Sequence, residues 1–235
     1  MSSTRLPGKV IEPILGQPLI LRAIDRISRA SSLDGLVLAT SVDPSDDPLV
    51  EIAERAGVTV RRGSLEDVLG RYLQVVDEIQ PDTVVRLTGD NALTDPAVID
   101  LVVAEHRRTG GDYTSNTVDR TFPRGLDVEV ASAEVLREVG RLATDPAERE
   151  HVTMGIYRRP EVFDVRQFVQ HPDRSQLRWT VDLPADLAFA REVYAELFPA
   201  DPAFGQAEIL ALLERRSGLN RTEADAVAEG GEHRA

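Results

Sequence analysis

The sequence predicts a single α/β domain in which a mainly parallel sheet is covered by helices on both faces. Short apolar runs typical of buried strands alternate with amphipathic segments typical of helices. Asp-Pro pairs and glycines stand where those helices should begin and end. The chain has 235 residues with 42% hydrophobic and 29% charged content, which is enough to bury one substantial core.

The first half of the chain supplies the clearest elements. Three apolar runs predict strands, at residues 35–41, 58–60 and 83–87. One helix is predicted from Asp47-Pro48 to about Ala56, a second follows Ser64 and Asp67, and a third runs from Asp95-Pro96 to about Arg108. Gly57 and Gly110-Gly111 should end the first and third helices, and the spacing of Ser64 and Asp67 resembles a capping box.

The second half is less regular, and it is where an α/β enzyme would build its substrate side. Residues 113–130 predict a loop followed by a strand, and residues 163–168 and 177–181 predict two more strands. Helices are predicted from Pro146 to about Tyr157, from Pro184 to about Leu197 and from Phe204 to Arg216. From Ser217 the residues become polar and small, which predicts a disordered tail over residues 217–235.

Composition and charge exclude several classes of function. A net charge of -13 and an isoelectric point near 4.8 argue against a nucleic acid or an anionic membrane as partner. The absence of cysteine excludes disulfides, thiolate zinc sites and a cysteine nucleophile. No apolar run reaches membrane-spanning length and no secretory leader is recognisable, so we expect a cytoplasmic protein. Anionic substrates would need a local basic patch and a divalent metal.

A short polar loop with two cations opens the sequence. Gly8 can turn sharply and let backbone N–H groups approach an anion, while Arg5 and Lys9 supply positive charge. This combination suggests a site for the phosphates of a nucleotide, although the G-x-x-x-x-G-K-[ST] spacing is absent. The alternative is an N-terminal tail rich in turn-forming residues.

Two acidic residues follow predicted strands. Asp90, with Gly89 beside it, comes after residues 83–87, and Asp182 comes after residues 177–181. Because the carboxyl ends of strands in an open α/β sheet line one crevice, these carboxylates are suited to hold Mg²⁺ together with substrate phosphate oxygens. Alternatively, Asp90 forms a turn and Asp182 caps the helix that follows.

Six short motifs follow one another between residues 2 and 153 of the chain. They are S-S-T-R-L-P-G-K at 2–9, A-T-S at 39–41, R-G-S with D-V-L at 62–64 and 67–69, L-T-G-D at 87–90, F-P-R-G-L-D-V-E at 122–129 and R-E-H-V-T at 149–153. The series resembles the cytidylyltransferases of the spore-coat polysaccharide type, relatives of the acylneuraminate and 3-deoxy-manno-octulosonate CMP-sugar synthetases. The resemblance implies a single-domain, Rossmann-like nucleotide-diphospho-sugar transferase fold over residues 1–216, with a nucleotide half at about 1–111 and a sugar-side half at about 112–216.

The resemblance also implies roles for individual residues. Nucleotide binding would involve Leu6, Pro7, Gly8, Lys9, Ala39, Thr40, Ser41, Gly89, Arg62, Asp67 and Arg71. Of these, Arg62, Asp67 and Arg71 could equally be solvated charges or helix caps. Asp90 and Asp182 would bind the metal. The sugar side would contain Arg124, Glu129, His151 and Thr153, although His151 could instead be structural.

The implied reaction is transfer of CMP from CTP to a hydroxyl of an acidic sugar or similar acceptor, with release of pyrophosphate. Mg²⁺ on Asp90 and Asp182, together with Arg5 and Lys9, would provide the catalytic charge. A homodimer is also expected. One alternative is a glycosyltransferase, which would favour an Asp-x-Asp motif where this chain has Asp90-Asn91-Ala92. Another is a catalytically inactive nucleotide-binding protein.

The sequence departs from this family in two places. Ala92 stands where relatives usually have Pro, which could alter how the loop of Asp90 is braced. Relatives also have a short apolar strand and an Ala-Arg pair before the phosphate loop, whereas this sequence begins at Met1 within the loop motif. We therefore expect two neighbouring strands to lack a partner, and the functional protein to start upstream of Met1.

Overall fold

The computed structural model describes residues 5–230. Within this range the chain forms eight strands: β1 (Pro13–Ile14), β2 (Gln17–Pro18), β3 (Val37–Ser41), β4 (Thr59–Gly63), β5 (Thr83–Arg86), β6 (Tyr113–Ser115), β7 (Glu129–Ser132) and β8 (Val165–Gln167). It also forms ten α-helices: α1 (Leu19–Ile27), α2 (Asp47–Arg55), α3 (Val68–Ile79), α4 (Pro96–Thr109), α5 (Ala133–Leu142), α6 (Pro146–Glu150), α7 (Met154–Tyr157), α8 (Pro184–Leu197), α9 (Gln206–Arg215) and α10 (Glu223–Ala228). The start of the predicted phosphate loop and the end of the predicted tail lie outside the described residues.

The strands form one hairpin and two sheets. β1 and β2 pair as an antiparallel hairpin, and β3 and β4 form a parallel sheet in which Val37 lies opposite Thr59. The other sheet has the order β5-β7-β6-β8, in which β7 is antiparallel to both neighbours and β6 is parallel to β8. The α/β class is confirmed. Within residues 5–230, β3 pairs only with β4 and β5 only with β7, so each has a single strand partner.

The four-stranded sheet has a hydrophobic core on each face. Val130 and Ala131 are successive residues of β7, so they point to opposite faces, and they belong to different cores. The larger core contains Trp179 and apolar residues of α1, α4, α8 and α9. The smaller core contains Tyr113 and apolar residues of α3, α5 and α7. Helices therefore cover both faces of the sheet, as the sequence predicts.

Local sequence signals explain where several helices begin and end. The side chain of Asp95 accepts a hydrogen bond from the backbone N–H of Ala97 at the start of α4, and Gly110 ends that helix with φ 67°. Gly57 follows α2 with φ 77°, as predicted. Among the helices of the described residues, none combines the length and the apolar character that crossing a membrane requires.

In the middle of the chain one predicted helix is confirmed and another is divided. α3 begins after Asp67, as predicted, and the side chain of Asp67 accepts a hydrogen bond from the N–H of Gly70 at 2.8 Å. The hydroxyl of Ser64 accepts a hydrogen bond from the N–H of Asp67 at 3.3 Å, but Ser64 itself lies three residues before Asp67 and outside the helix. The helix predicted from Pro146 to Tyr157 is divided into α6 and α7. Val152 lies between them in the left-handed region at φ 53°, which a continuous helix does not allow.

The end of the chain also differs from prediction. Residues 177–181 form no strand; they contribute only isolated bridges, of which one pairs Arg178 with Arg124. Residues 217–230, predicted to be disordered, instead form a short 3₁₀ turn over Ser217–Leu219 and then α10, in which Ala226 is buried. Polar composition therefore misled the sequence prediction, because this segment is held by ion pairs described below.

Gly125 brings two parts of the predicted sugar-side half into direct backbone contact. It adopts φ 111°, and a Cβ at this position would lie 2.5 Å from the backbone nitrogen of Thr180. The carbonyl of Arg124 accepts hydrogen bonds from the N–H groups of Trp179 at 2.6 Å and Thr180 at 3.0 Å. Only glycine fits this approach, which places Arg124 beside the segment that leads to Asp182.

A buried histidine of α4 should make the fold less stable at mildly acidic pH. Burial lowers the pKa of His106, with a further lowering by Arg107, and its Nδ1 lies 3.0 Å from the hydroxyl of Thr114. The folded protein binds a proton on His106 less readily than the unfolded chain does. The free energy of unfolding therefore decreases as the pH falls below about 6.5, where His106 of the unfolded chain becomes protonated. We expect urea unfolding of wild type to show this loss between pH 7.5 and 5.5.

The matched variant for this measurement is His106→Gln, which keeps a polar side chain but does not titrate. Its free energy of unfolding should change less over the same pH interval than that of wild type. Identical pH dependence in the two proteins would contradict the assignment to His106.

Candidate active site

Lys9 joins the two carboxylates that the sequence predicts as metal ligands. Its Nζ lies 2.8 Å from Asp90 Oδ2 and 2.8 Å from Asp182 Oδ1. The loops that carry the carboxylates are tied together, since the backbone N–H of Val181 donates to the carbonyl of Asp90 at 3.0 Å. Arg5 Nη2 lies 3.2 Å from Asp182 Oδ1. The four residues predicted as catalytic thus lie together.

The contacts of Lys9 and Asp182 favour the charged form of each of these two residues. Burial opposes the charge on Lys9, but Asp90 and Asp182 raise the pKa of Lys9 above its usual value. Burial likewise opposes the charge on Asp182, but Lys9, Arg5 and Arg178 hold the pKa of Asp182 below its usual value. An ammonium group therefore lies between two carboxylates.

The same oxygens have the chemistry that Mg²⁺ requires. This ion prefers hard oxygen ligands and commonly takes one or two carboxylates together with phosphate oxygens and water. Asp90 Oδ2 and Asp182 Oδ1 each lie 2.8 Å from the Nζ of Lys9, so the two oxygens are close to each other. Within residues 5–230 no group of three or more His, Cys, Asp or Glu could hold a metal ion. Further ligands would have to come from substrate and water.

The predicted phosphate loop makes a tight turn. Gly8 adopts φ 72°, and the N–H of Lys9 donates to the carbonyl of Leu6 at 3.2 Å. Leu6 packs against the larger core, whereas Pro7 is exposed. A Cβ at Gly89 would lie 3.0 Å from a side chain of α1, so the loop before Asp90 packs closely against that helix.

Arg178 is a further cation on Asp182, and the sequence did not indicate it. Its Nη2 donates to Asp182 Oδ2 at 2.6 Å, and its Nε lies 3.3 Å from Asp186 Oδ2. Asp186 is fully buried and also accepts hydrogen bonds from the N–H groups of Asp182 and Leu183. Both oxygens of Asp182 are therefore held by cations. The position of Arg178, four residues before Asp182, was the only signal available in the sequence.

Thr40 and Ser41, predicted to lie beside the base, share one acidic partner. Their hydroxyls each donate to Asp46 Oδ2 at 2.6 Å, and the N–H of Ser41 donates to the same oxygen at 3.0 Å. Burial opposes ionisation of Asp46, and the hydrogen bonds from Ser41 and Thr40 are among the contacts that lower its pKa below the usual range. Arg62 Nε donates to the carbonyl of Ser41 at 2.8 Å, and Ala39 lies half-buried in β3. The sequence prediction missed Asp46, although it follows closely on the end of β3.

Asp67 and Arg71 stabilise the connection between β4 and α3. Both oxygens of Asp67 accept hydrogen bonds from Arg149, at 2.8 and 2.6 Å, and Arg149 lowers the pKa of Asp67. Arg71 Nη1 donates to the carbonyl of Ser64 at 2.7 Å. Asp67 therefore caps α3, which is the alternative role considered above, and Arg71 braces the loop before the helix. Contact of either residue with a nucleotide stays a prediction.

Glu129 and Thr153 belong to a buried polar network. Glu129 accepts a hydrogen bond from the hydroxyl of Tyr113 at 2.6 Å, and it also contacts the Thr153 hydroxyl and the Arg86 guanidinium. Burial raises the pKa of Tyr113 well above its usual value. Glu129 lies on the face of the smaller core, whereas Val181, next to Asp182, belongs to the larger one. The structure therefore does not bring Glu129 and Thr153 into the cluster around Lys9.

The two remaining residues of the predicted sugar side have different surroundings. Arg124 pairs with Arg178 in an isolated parallel bridge, and its Nε lies 2.8 Å from Glu223 Oε1, at an angle outside hydrogen-bond geometry. His151 follows α6 and is half-buried, and its ring makes no hydrogen bond to any other residue of the described range. Arg124 therefore adjoins the cluster around Lys9 through Arg178.

An α/β sheet with carboxylates and cations gathered beyond the end of a strand, here β5, is typical of enzymes that bind nucleotides. The family model for cytidylyltransferases matches residues 1–208 of the chain. The chain belongs to the cytidylyltransferase family and is a CTP-dependent cytidylyltransferase. This membership favours the enzyme hypothesis over the glycosyltransferase and inactive-protein alternatives.

Individual proteins support the same conclusion. The chain is 34% identical to the spore coat polysaccharide biosynthesis protein SpsF of Bacillus subtilis over 234 residues, which cover 96% of this chain and 95% of the relative. It is 28% identical to 3-deoxy-manno-octulosonate cytidylyltransferase 2 of Hydrogenovibrio crunogenus, over 58% of this chain and 56% of the relative. A solved cytidylyltransferase from Leptospira borgpetersenii matches with a TM-score of 0.88 at 28% identity, over 93% of this chain and 92% of that one.

Proposed function

We propose that the enzyme transfers CMP from CTP to a hydroxyl of an acidic sugar or similar acceptor, with release of pyrophosphate, in polysaccharide or glycoconjugate biosynthesis. The contact of Lys9 with both Asp90 and Asp182 carries the proposal, because it gathers opposite charges around one point. The names of the Bacillus and Hydrogenovibrio relatives, which refer to polysaccharide synthesis and to a sugar acid, support the acceptor class.

The proposed chemistry is an in-line displacement at the α-phosphorus of CTP. The acceptor hydroxyl oxygen forms a new bond to phosphorus and its proton passes to solvent, while the bond to the leaving pyrophosphate breaks, so no covalent enzyme intermediate is needed. Arg5 and Lys9 provide N–H donors for the pyrophosphate oxygens, whose negative charge grows as the bond breaks. Positioning of the two reactants would supply much of the rate enhancement.

Asp90 and Asp182 are the proposed ligands of Mg²⁺. When bound, this ion would offset negative charge on the transferring phosphoryl group. Arg178 keeps Asp182 Oδ2 in place, and the hydroxyl of Thr88 donates to Asp90 Oδ1 at 2.7 Å. Each carboxylate thus has one oxygen fixed by the protein and one directed at the Nζ of Lys9.

A pyrophosphate-release assay tests the proposal directly. The enzyme is incubated with CTP, Mg²⁺ and one of a set of sugars that includes 3-deoxy-manno-octulosonate, N-acetylneuraminate and neutral hexoses. We expect pyrophosphate only when CTP, Mg²⁺ and an acidic sugar are all present, and its release should stop when the metal is chelated.

The controls separate the alternatives. Pyrophosphate release without any dependence on a sugar would contradict transfer to such an acceptor. Turnover with only neutral sugars would contradict the acidic acceptor class. Release of a nucleoside diphosphate from a nucleotide sugar would support the glycosyltransferase alternative instead.

A further inference from the structure

The segment from Arg221 to Glu229 packs against the loop that leads to Asp182. The backbone N–H of Arg178 donates to the carbonyl of Arg221 at 2.9 Å, and the N–H of Glu223 donates to the carbonyl of Gln176 at 3.1 Å. Arg221 is buried, and its Nε donates to Asp186 at 2.8 Å. This segment is therefore part of the structure around the candidate site.

Glu223, the first residue of α10, lies between two arginines. Its two oxygens accept hydrogen bonds from Arg178 Nη1 at 3.1 and 3.2 Å, and Oε1 lies 2.8 Å from Arg124 Nε. The arginines are partners in an isolated parallel bridge, so their side chains start next to each other. Without an anion between them, the two guanidinium groups would repel each other. Glu223 therefore forms ion pairs with both guanidinium groups at once.

Arg124 has unused capacity to bind an anion. Within residues 5–230 its two Nη groups make no hydrogen bond, and the shortest contact of its guanidinium with Glu223 is through Nε. Its side chain is 27% exposed, so a ligand in solution can reach it. The two terminal N–H groups of a guanidinium match the two oxygens of a carboxylate. Through Arg178, Arg124 is one side chain away from Asp182.

We propose that Glu223 is a positioning residue of the acceptor site: it holds Arg124 by Nε so that the Nη groups bind the carboxylate of an acidic acceptor. α10 is then part of the acceptor site rather than a tail. The inference rests on the proposed function, since it requires an acceptor that carries a carboxylate. A flexible arginine that is fixed in advance loses less side-chain entropy when the acceptor binds, so the affinity for that acceptor increases.

The test compares Glu223→Gln with wild type on two forms of one acceptor. The acceptor is the acidic sugar that wild type uses best, starting with 3-deoxy-manno-octulosonate, and the second form is its methyl ester, which lacks the charge. We expect Glu223→Gln to raise the KM for the acid about tenfold, because a displaced Arg124 would lose one charge-assisted contact with the carboxylate of the acceptor. The KM for the ester and the KM for CTP should stay close to wild type.

Glu229→Gln is the matched control. Glu229 lies just beyond α10 and pairs with Arg221 at 2.8 and 2.6 Å, and it is not a partner of Arg124. This variant should retain the KM of wild type for the acid. Melting temperatures of both variants show whether either change simply loosens the segment.

Three results would overturn the inference while leaving the proposed function intact. An equal loss with acid and ester would make Glu223 merely structural, an unchanged KM would remove its role, and a lowered KM would mean that Glu223 competes with the acceptor for Arg124. If wild type releases no pyrophosphate with any acidic sugar, the proposed acceptor class and this inference both fail.

Discussion

Replacing either carboxylate of the Lys9 cluster should abolish most activity without unfolding the protein. We expect Asp90→Asn and Asp182→Asn each to lower kcat by about 10²–10³-fold or more, because each change removes a group that organises charge around the transferring phosphoryl group. The Asn side chain preserves shape, and each partner carboxylate still contacts Lys9, so the folded structure should persist. Steady-state pyrophosphate release with saturating CTP measures the effect, and circular dichroism reports the fold.

Asp77→Asn provides the matched control for these variants. Asp77 is exposed on α3, where it pairs with Arg137 at 3.0 Å, so the same chemical change there should leave kcat near wild type. Wild-type rates in Asp90→Asn or Asp182→Asn would remove these residues from the catalytic mechanism. An equal loss in Asp77→Asn would show that the effect is not specific to the site.

Discrimination between nucleotides should be the second large effect. We expect kcat/KM for CTP to exceed that for UTP by about 10³-fold or more, because a base with the wrong donors and acceptors leaves buried polar groups unpaired. Thr40 and Ser41 are fixed by Asp46, so the polar groups at the end of β3 are rigid. Asp46→Ala should therefore reduce the CTP preference by releasing both hydroxyls.

Asp43→Ala is the control for this second experiment. Asp43 lies in the same turn, where its side chain accepts a hydrogen bond from the N–H of Ser45 at 2.8 Å. Its only contact with the two hydroxyls is the donation of its backbone N–H to Ser41 Oγ at 3.2 Å, which alanine retains. It should retain the preference for CTP. Comparable turnover of UTP and CTP by wild type would contradict a base-reading role for this end of β3.

Sequence patterns predicted the fold well wherever local chemistry decides the structure. Asp95 and Pro96 start α4 and Gly110 ends it through contacts with residues close by in the sequence. These helix boundaries can therefore be predicted from the sequence alone. The split at Val152 was not visible, because a β-branched residue at positive φ is imposed by packing. The segment 177–181 was predicted as a strand because it is largely apolar. Its apolar residues pack in the larger core, but the segment makes only isolated bridges and has no continuous strand partner.

The candidate site was only partly predictable for a related reason. Asp90 and Asp182 follow apolar runs, and their position suggested a shared crevice. Asp46, Arg178 and Glu223 gave no such signal, since a charged residue that holds another side chain looks in the sequence like any solvated charge. Only the folded chain shows that Asp46 is buried against the hydroxyls of Thr40 and Ser41, and that Arg178 and Glu223 lie against opposite charges.

The two hydrophobic cores on opposite faces of the four-stranded sheet mean that the molecule need not open all at once. Asp90 and Asp182 adjoin Ala92 and Val181 of the larger core, whereas the network of Glu129 belongs to the smaller one. A smaller core releases less apolar surface and costs less free energy to disrupt, so partial unfolding would begin there. Thermal fluctuations would then loosen the packing of α3, α5 and α7 around the network of Glu129, while Asp90, Asp182 and the segment of Trp179 stay in place on the larger core.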